Sequence, residues 1–220
     1  MNTRLQNERG MTDMGICYIV GAGEDCGLDF CPKAEDLVIA ADGGYARLQA
    51  AQIRPDLVIG DFDSLGAAPD GEKVITLPVV KDVTDTWAAI ELGKERGYRE
   101  FWLYGCTGGR FEHTMANVQT LAALAAQGMR GWLVSMDQLT TAISGETVEF
   151  GPEHEGFLSV FSHTDRCRGV TLKGLKYELE QAELTNLFPL GVSNEFLGCP
   201  SSVTVAEGVA VLVLNRTKRM

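Results

Sequence analysis

No stretch of this 220-residue sequence approaches the roughly 20 apolar residues that cross a bilayer. The polar opening MNTRLQNERGMTDM also lacks the apolar segment of a signal peptide. Both absences predict a soluble cytoplasmic protein, with residues 1–13 as a disordered leader and Met11 and Met14 as alternative starts. The six cysteines are scattered without a C-x-x-C pair, and the three histidines show no paired spacing, which argues against a zinc knuckle or a disulfide framework. Basic residues are scarce: 19 Lys and Arg stand against 30 Asp and Glu, for a formal net charge of -11. Such a surface repels nucleic-acid backbones and anionic membranes alike. It does not exclude an anionic nucleotide, because a bound divalent cation reverses the field locally.

What is present is ample core material, with 45% hydrophobic residues. Between Met14 and about Val134, short apolar runs (Ile16 to Val20, Leu37 to Ala41, Leu57 to Ile59, Val74 to Leu77, Phe101 to Tyr104, Trp132 to Val134) alternate with amphipathic stretches. That alternation predicts a mostly parallel sheet with helices at about 44–52, 85–96 and 113–127, the last stopped by Gly128. After about Ser135 helical periodicity gives way to short alternating segments, including an expected hairpin of Val203–Val205 with Val209–Leu214 across Ala206-Glu207-Gly208. The expected division is a leader (1–13), an α/β domain (14–138) and a smaller all-β domain (139–220).

In open α/β sheets ligands bind beyond the carboxyl ends of the strands. Here those positions are rich in aspartate: Asp42-Gly43-Gly44, Gly60-Asp61-Phe62-Asp63-Ser64, and Lys81-Asp82-Val83-Thr84-Asp85 before the second helix. Crowded carboxylates raise one another's pKa unless a cation neutralises them, and a hard cation sharing carboxylates with phosphate oxygens fits Mg²⁺. Taken singly, Asp82 or Thr84 serves equally as a helix cap and Asp42 as a turn residue; recurrence at one end of the sheet favours the site. The rival reading of Asp61-Phe62-Asp63-Ser64 as an aspartyl-phosphatase nucleophile motif suffers from position, since that motif belongs on a first strand and here two precede it.

A second polar cluster follows Phe101–Tyr104: Gly105-Cys106-Thr107-Gly108-Gly109-Arg110-Phe111-Glu112-His113, then Asn117. A glycine-rich turn entering a helix exposes backbone N–H groups to phosphate, and Arg110 adds a fork of donors able to stabilise a transferring phosphoryl group. His113 reads as a structural residue of the first helical turn rather than a base. Gly21-Ala22-Gly23 is no dinucleotide fingerprint, because Cys26 takes the third glycine position, although the loop allows close backbone approach.

Taken in order, ADGG (41–44), RPDLVIGDFDSL (54–65), KDVTD (81–85), TGGRFEH (107–113) with Asn117, GLKYEL (174–179) and SNEF (193–196) give a chain that resembles the thiamine pyrophosphokinase family from about residue 15 onward. The resemblance implies an N-terminal Rossmann-like α/β domain with the ATP and magnesium sites, a C-terminal β-sandwich that meets thiamine, and a homodimer whose active sites are shared between chains. It implies transfer of the β,γ-pyrophosphate of ATP to the thiamine hydroxyl. Carried over, Asp61, Asp63, Asp82 and Asp85 are the metal positions. Asp42, Gly43, Lys81, Thr84, Gly108, Gly109, Arg110 and Asn117 face ATP, and Ser193 and Asn194 face thiamine; the aromatic face of Tyr177 suits the cationic vitamin and equally suits packing in the core of the β-domain. Glu112 departs from the family pattern, which has aspartate there. Asp63, Asp85 and Arg110 are the expected catalytic residues, with Asp63 or Asp85 as proton acceptor. The alternatives are the same chemistry on another alcohol, such as a hydroxymethyl pterin, and a nucleotide-binding sensor without turnover.

Overall fold

The structure, a computed structural model, describes residues 15–60, 74–76 and 83–216. The leader assigned to residues 1–13 lies outside them. The chain forms two compact units: one runs up to Thr120 and includes Gly131–Met136, and the other comprises Leu121–Arg130 and the chain from Asp137 onward.

The first unit is built on β1 (Cys17–Val20), β2 (Leu37–Ala41), β3 (Leu57–Gly60), β4 (Val74–Thr76), β5 (Glu100–Tyr104) and β6 (Arg130–Val134), in the row β6-β5-β1-β2-β3-β4. The pairs β1–β2, β1–β5, β2–β3 and β3–β4 are parallel, with Cys17 opposite both Leu37 and Phe101. Every residue of β1, β2 and β3 is buried. Strands without a polar face must be covered on both sides, which is what the apolar runs in the sequence encode. Helix α1 (Gly44–Ala50) packs on β1 and β2, and α2 (Asp85–Glu95) on β1, β2 and β3.

Helix α3 (Phe111–Ala126) starts two residues earlier than the apolar pattern suggests, directly after Arg110, with the His113 N–H donating to the Arg110 carbonyl at 3.1 Å. It ends where Gly128 adopts φ +68 and the N–H groups of Gly128 and Met129 return to Ala125 and Leu124. This is the left-handed stop that glycine allows at helix ends. No helix among the described residues is long and apolar enough to cross a membrane.

The second unit holds β7 (Gln138–Ile143), β8 (Glu146–Phe150), β9 (Phe157–Ser162), β10 (Arg166–Lys173), β11 (Leu179–Thr185), β12 (Gly191–Glu195), β13 (Ser201–Val205) and β14 (Ala210–Asn215). They run β12-β9-β14-β7 in one row and β11-β10-β13-β8 in a separate four-stranded sheet, and the pairings within both are antiparallel. Burial alternates along β8, β9 and β13, as expected of sheets with one covered face. The fold is thus mixed α/β, with a parallel-containing sheet and a smaller antiparallel one.

The hairpin expected between Val203–Val205 and Val209–Leu214 does not form. β13 pairs with β8 and β10, whereas β14 pairs with β7 and β9. The linker is tied to β10 instead: Arg168 N–H donates to the Glu207 carbonyl, and the N–H groups of Ala206 and Glu207 both donate to the Arg168 carbonyl. The chain therefore crosses from one sheet to the other at Gly208.

Candidate active site

At the carboxyl end of β2, Asp42 sits in the left-handed region (φ +51), and its N–H donates to the Ile59 carbonyl of β3 at 2.8 Å. The exits of β2 and β3 are therefore adjacent, with Gly60, the last residue of β3, beside Asp42. Asp61, Asp63, Lys81 and Asp82 themselves lie outside the described residues. Gly43 is the N-cap of α1. At Gly44 a Cβ would fall 1.8 Å from the Val20 carbonyl oxygen, so α1 begins in backbone contact with the end of β1. The ADGG run is explained by this approach: a carboxylate at the strand exit, then two residues without side chains.

Thr84 caps α2, its hydroxyl accepting from the Trp87 N–H at 3.2 Å, and Asp85 occupies the first turn. Asp85 is half-buried, as is Asp42. One residue further, Thr86 Oγ1 lies 3.9 Å from Cys106 Sγ, which joins the start of α2 to the turn after β5. That turn uses positive φ at Gly105 (+60), Gly108 (+73) and Gly109 (+58), a conformation costly for other residues. Asn117, buried on α3, donates through Nδ2 to the Cys106 carbonyl at 2.7 Å and fastens the turn to the helix it leads into. Burial pushes the Cys106 thiol up to about 12, so it stays neutral and is no nucleophile. The Thr107 hydroxyl is buried without a hydrogen-bonding partner among the described residues. The N-termini of α1, α2 and α3 thus collect around the exits of β1 and β5, and oriented N–H groups at helix starts favour anions.

Arg110 projects outward, 71% exposed, with Nε 3.7 Å from Glu112 Oε1, itself 70% exposed. So loose and solvated a pair contributes at most about 1 kcal/mol and leaves the guanidinium available to a ligand. Glu112, the departure from the family pattern, faces this arginine across the first helical turn.

Sequence reasoning missed Arg47 and Glu24. Arg47, on α1, donates to the carbonyls of all four residues Gly21–Glu24. Glu24 lies against Gly108, where an added Cβ would meet its side chain at 2.5 Å. Neither belongs to a recognisable motif, and only the packing of α1 on β1 reveals them.

In the β-rich unit, Tyr177, Ser193 and Asn194 are brought together. Asn194 is buried; its Nδ2 donates to the Tyr177 carbonyl (2.7 Å), and its Oδ1 accepts from the N–H groups of Tyr177 and Glu195 (both 2.9 Å). Its amide is thereby turned inward and fixes the backbone of Tyr177, whose ring is exposed beneath Lys176 Nζ at 5.5 Å. Lys176 is in turn paired with Glu195 at 2.7 Å. Ser193 has φ +57 within an irregularity of β12 and donates its N–H to Ser159 Oγ at 3.0 Å.

Parallel strands whose exits gather helix N-termini, a glycine-rich turn and an outward arginine, followed by an antiparallel β-rich unit, define a two-unit α/β enzyme. Two family models match the chain: "Thiamin pyrophosphokinase, catalytic domain" over residues 31–133 and "Thiamin pyrophosphokinase, vitamin B1 binding domain" over residues 147–210. A thiamine pyrophosphokinase of Bacillus subtilis is 26% identical over 184 residues, spanning 80% of this chain and 86% of the relative. The crystal structure of thiamin pyrophosphokinase from Geobacillus thermodenitrificans superposes with a TM-score of 0.80 at 25% identity, covering 92% of this chain and 98% of that one. The Candida albicans enzyme shares the fold at 15% identity (TM-score 0.72; 91% and 90% covered). The chain belongs to the thiamin pyrophosphokinase family, and it is a transferase.

Proposed function

We propose that the protein transfers the β,γ-pyrophosphoryl group of ATP to the hydroxyl of thiamine, giving thiamine diphosphate and AMP. The observation that carries this reading is the match of a catalytic and a vitamin-binding family model to successive parts of the chain, the first of which contains the three helix N-termini and the Arg110 turn. In this reading the α/β unit, Rossmann-like in outline, takes ATP, and the β-rich unit, a sandwich, takes the vitamin. Asp42, Gly43, Thr84, Gly108, Gly109 and Lys81 form the nucleotide side, and Asn117 acts through the turn that it fastens. Tyr177 and Ser193 meet thiamine, with Asn194 setting the position of Tyr177. An exposed tyrosine face and an acidic rim both suit the permanent positive charge of thiamine.

The alcohol oxygen attacks the β-phosphorus as the bond from that phosphorus to the AMP oxygen breaks, its electron pair leaving with AMP. The hydroxyl proton passes to a carboxylate oxygen of Asp63 or Asp85. Arg110, with Lys81, takes up negative charge growing on the phosphate oxygens, and donors preorganised for that charge stabilise the transition state most. Among the described residues no three His, Cys, Asp or Glu side chains converge as a metal site. Asp61, Asp63, Asp82 and Asp85 would hold magnesium, since an all-carboxylate donor set suits that hard ion. Bound there, the ion would supply neutralisation of charge on the phosphate oxygens.

The reading also places the protein in the cytoplasm as a homodimer with shared active sites. The exposed apolar side chains Leu187, Phe188, Leu190 and Val192 of the β-rich unit support a second copy as partner. The test is a phosphorus NMR time course with Mg-ATP and thiamine. AMP and thiamine diphosphate are expected together, and only in the complete mixture; ADP, free phosphate or no change would refute the assignment.

A further inference from the structure

Four consecutive carbonyls, those of Gly21, Ala22, Gly23 and Glu24, converge on one guanidinium. Arg47 Nη1 donates to Gly21 O (3.2 Å) and Glu24 O (3.1 Å), and Nη2 donates to Ala22 O (3.3 Å) and Gly23 O. The N–H groups of the same strap point the other way: Gly21 donates to Tyr104 O (2.8 Å), Gly23 to Gly105 O (2.7 Å) and Glu24 to Thr107 O (2.7 Å). The guanidinium also touches the turn directly, since a Cβ at Gly105 would fall 2.2 Å from Nη1. Arg47 is thus wedged between the strap and the first residue of the turn that continues through Gly108 and Gly109 to Arg110.

We propose that Arg47 is a positioning residue for pyrophosphoryl transfer: through the Gly21–Glu24 strap it holds the Gly105–Arg110 turn in the conformation that receives the phosphates of ATP. The inference rests on the function proposed above. A planar fork with five N–H donors supports four aligned carbonyls at once, whereas a lysine ammonium has three donors on one atom. The geometry of the fork, not the charge alone, is therefore what the turn needs. Displacement of reacting groups by about 1 Å costs on the order of 100-fold in rate.

The test compares wild type, Arg47→Lys and Arg47→Ala, varying ATP and thiamine separately and following backbone amide exchange by mass spectrometry. Arg130→Lys, which disturbs a 2.6 Å pair with Glu146 in the other unit, is the control for general loss of stability. Arg47→Lys should lower kcat/KM for ATP by roughly 100-fold, leave KM for thiamine within about twofold, and speed exchange in peptides covering 21–24 and 105–109; Arg130→Lys should do none of these. Wild-type kcat/KM for ATP in Arg47→Lys would overturn the proposal, as would equal losses toward both substrates. If Arg47→Ala fails to fold, the lysine variant still decides. If the wild type itself makes no AMP, the functional reading falls, while the exchange data still decide whether Arg47 fixes the turn.

Discussion

Replacing Asn194 by alanine removes three hydrogen bonds at once from a buried position: one donated to the Tyr177 carbonyl and two accepted from the N–H groups of Tyr177 and Glu195. Each net contribution is about 0.5–1.5 kcal/mol, so the loss sums to about 2–4 kcal/mol. For a chain of 220 residues each kcal/mol lowers Tm by about 2–4 °C, giving an expected drop of about 5–15 °C. Calorimetry is the suitable assay, because two compact units need not melt together and the affected transition identifies the β-rich one. Steady-state kinetics below the melting range should show KM for thiamine raised several-fold and KM for ATP unchanged, since Tyr177 loses its anchor while the α/β unit keeps its turns. A Tm within about 1 °C of wild type would refute the account of Asn194 as a backbone clamp. A normal thiamine KM in a destabilised variant would instead separate the clamp from the vitamin.

Arg110→Ala should lower kcat by about 100- to 1000-fold while leaving Tm nearly unmoved, because the side chain is 71% exposed and its ion pair with Glu112 is a loose one at 3.7 Å; equal turnover would remove it from the mechanism. Because burial holds the Cys106 thiol above the ordinary value of 9.0, to about 12, the unfolded chain loses this proton first as pH rises. Stability from this group is complete below pH 9 and is lost progressively toward pH 12, so Tm should fall across that window, and less steeply in Cys106→Ala. Brief iodoacetamide treatment of the native protein should modify the exposed Cys31 and Cys199 and spare Cys17, Cys106 and Cys167, as read by peptide mass mapping. Gly44→Ala should fail to give folded protein, since its methyl would lie 1.8 Å from a backbone oxygen, whereas Gly109→Ala, with nothing within 4 Å, should fold with a cost of only about 1 kcal/mol for its φ of +58.

Much of the α/β unit was legible because a strand buried on both faces is written as an unbroken apolar run, and β1, β2 and β3 are such runs. Helix ends were legible too, at Gly128 and at Thr84, where local chemistry decides the outcome. The hairpin reading failed because alternation shows that a segment is a strand but not which strand lies beside it. β13 and β14 are near in sequence, yet each takes distant neighbours. Arg47 was illegible for a related reason: the carbonyls that it serves gather only when α1 docks on β1, and no side-chain pattern records a cluster of backbone oxygens. Ser193 and Asn194 were picked out by resemblance and Tyr177 by its aromatic face, whereas the inward turn of the Asn194 amide toward Tyr177 needed coordinates.

The crossing at Gly208 makes β14, the last of the described strands, an interior member of its row, flanked by β7 on one side and β9 on the other. A ribosome delivers β7 and β9 first, each with an open edge facing a gap that only β14 can fill. Until β14 emerges, the nascent β-rich unit displays two unpaired ladders, the kind of surface that recruits strands from other chains. Closure then needs contacts between residues far apart in sequence, which is intrinsically slow. Truncation before Ala210 would therefore leave a split sheet rather than a shortened one, and a chaperone that shields strand edges during synthesis would be of most use to this unit.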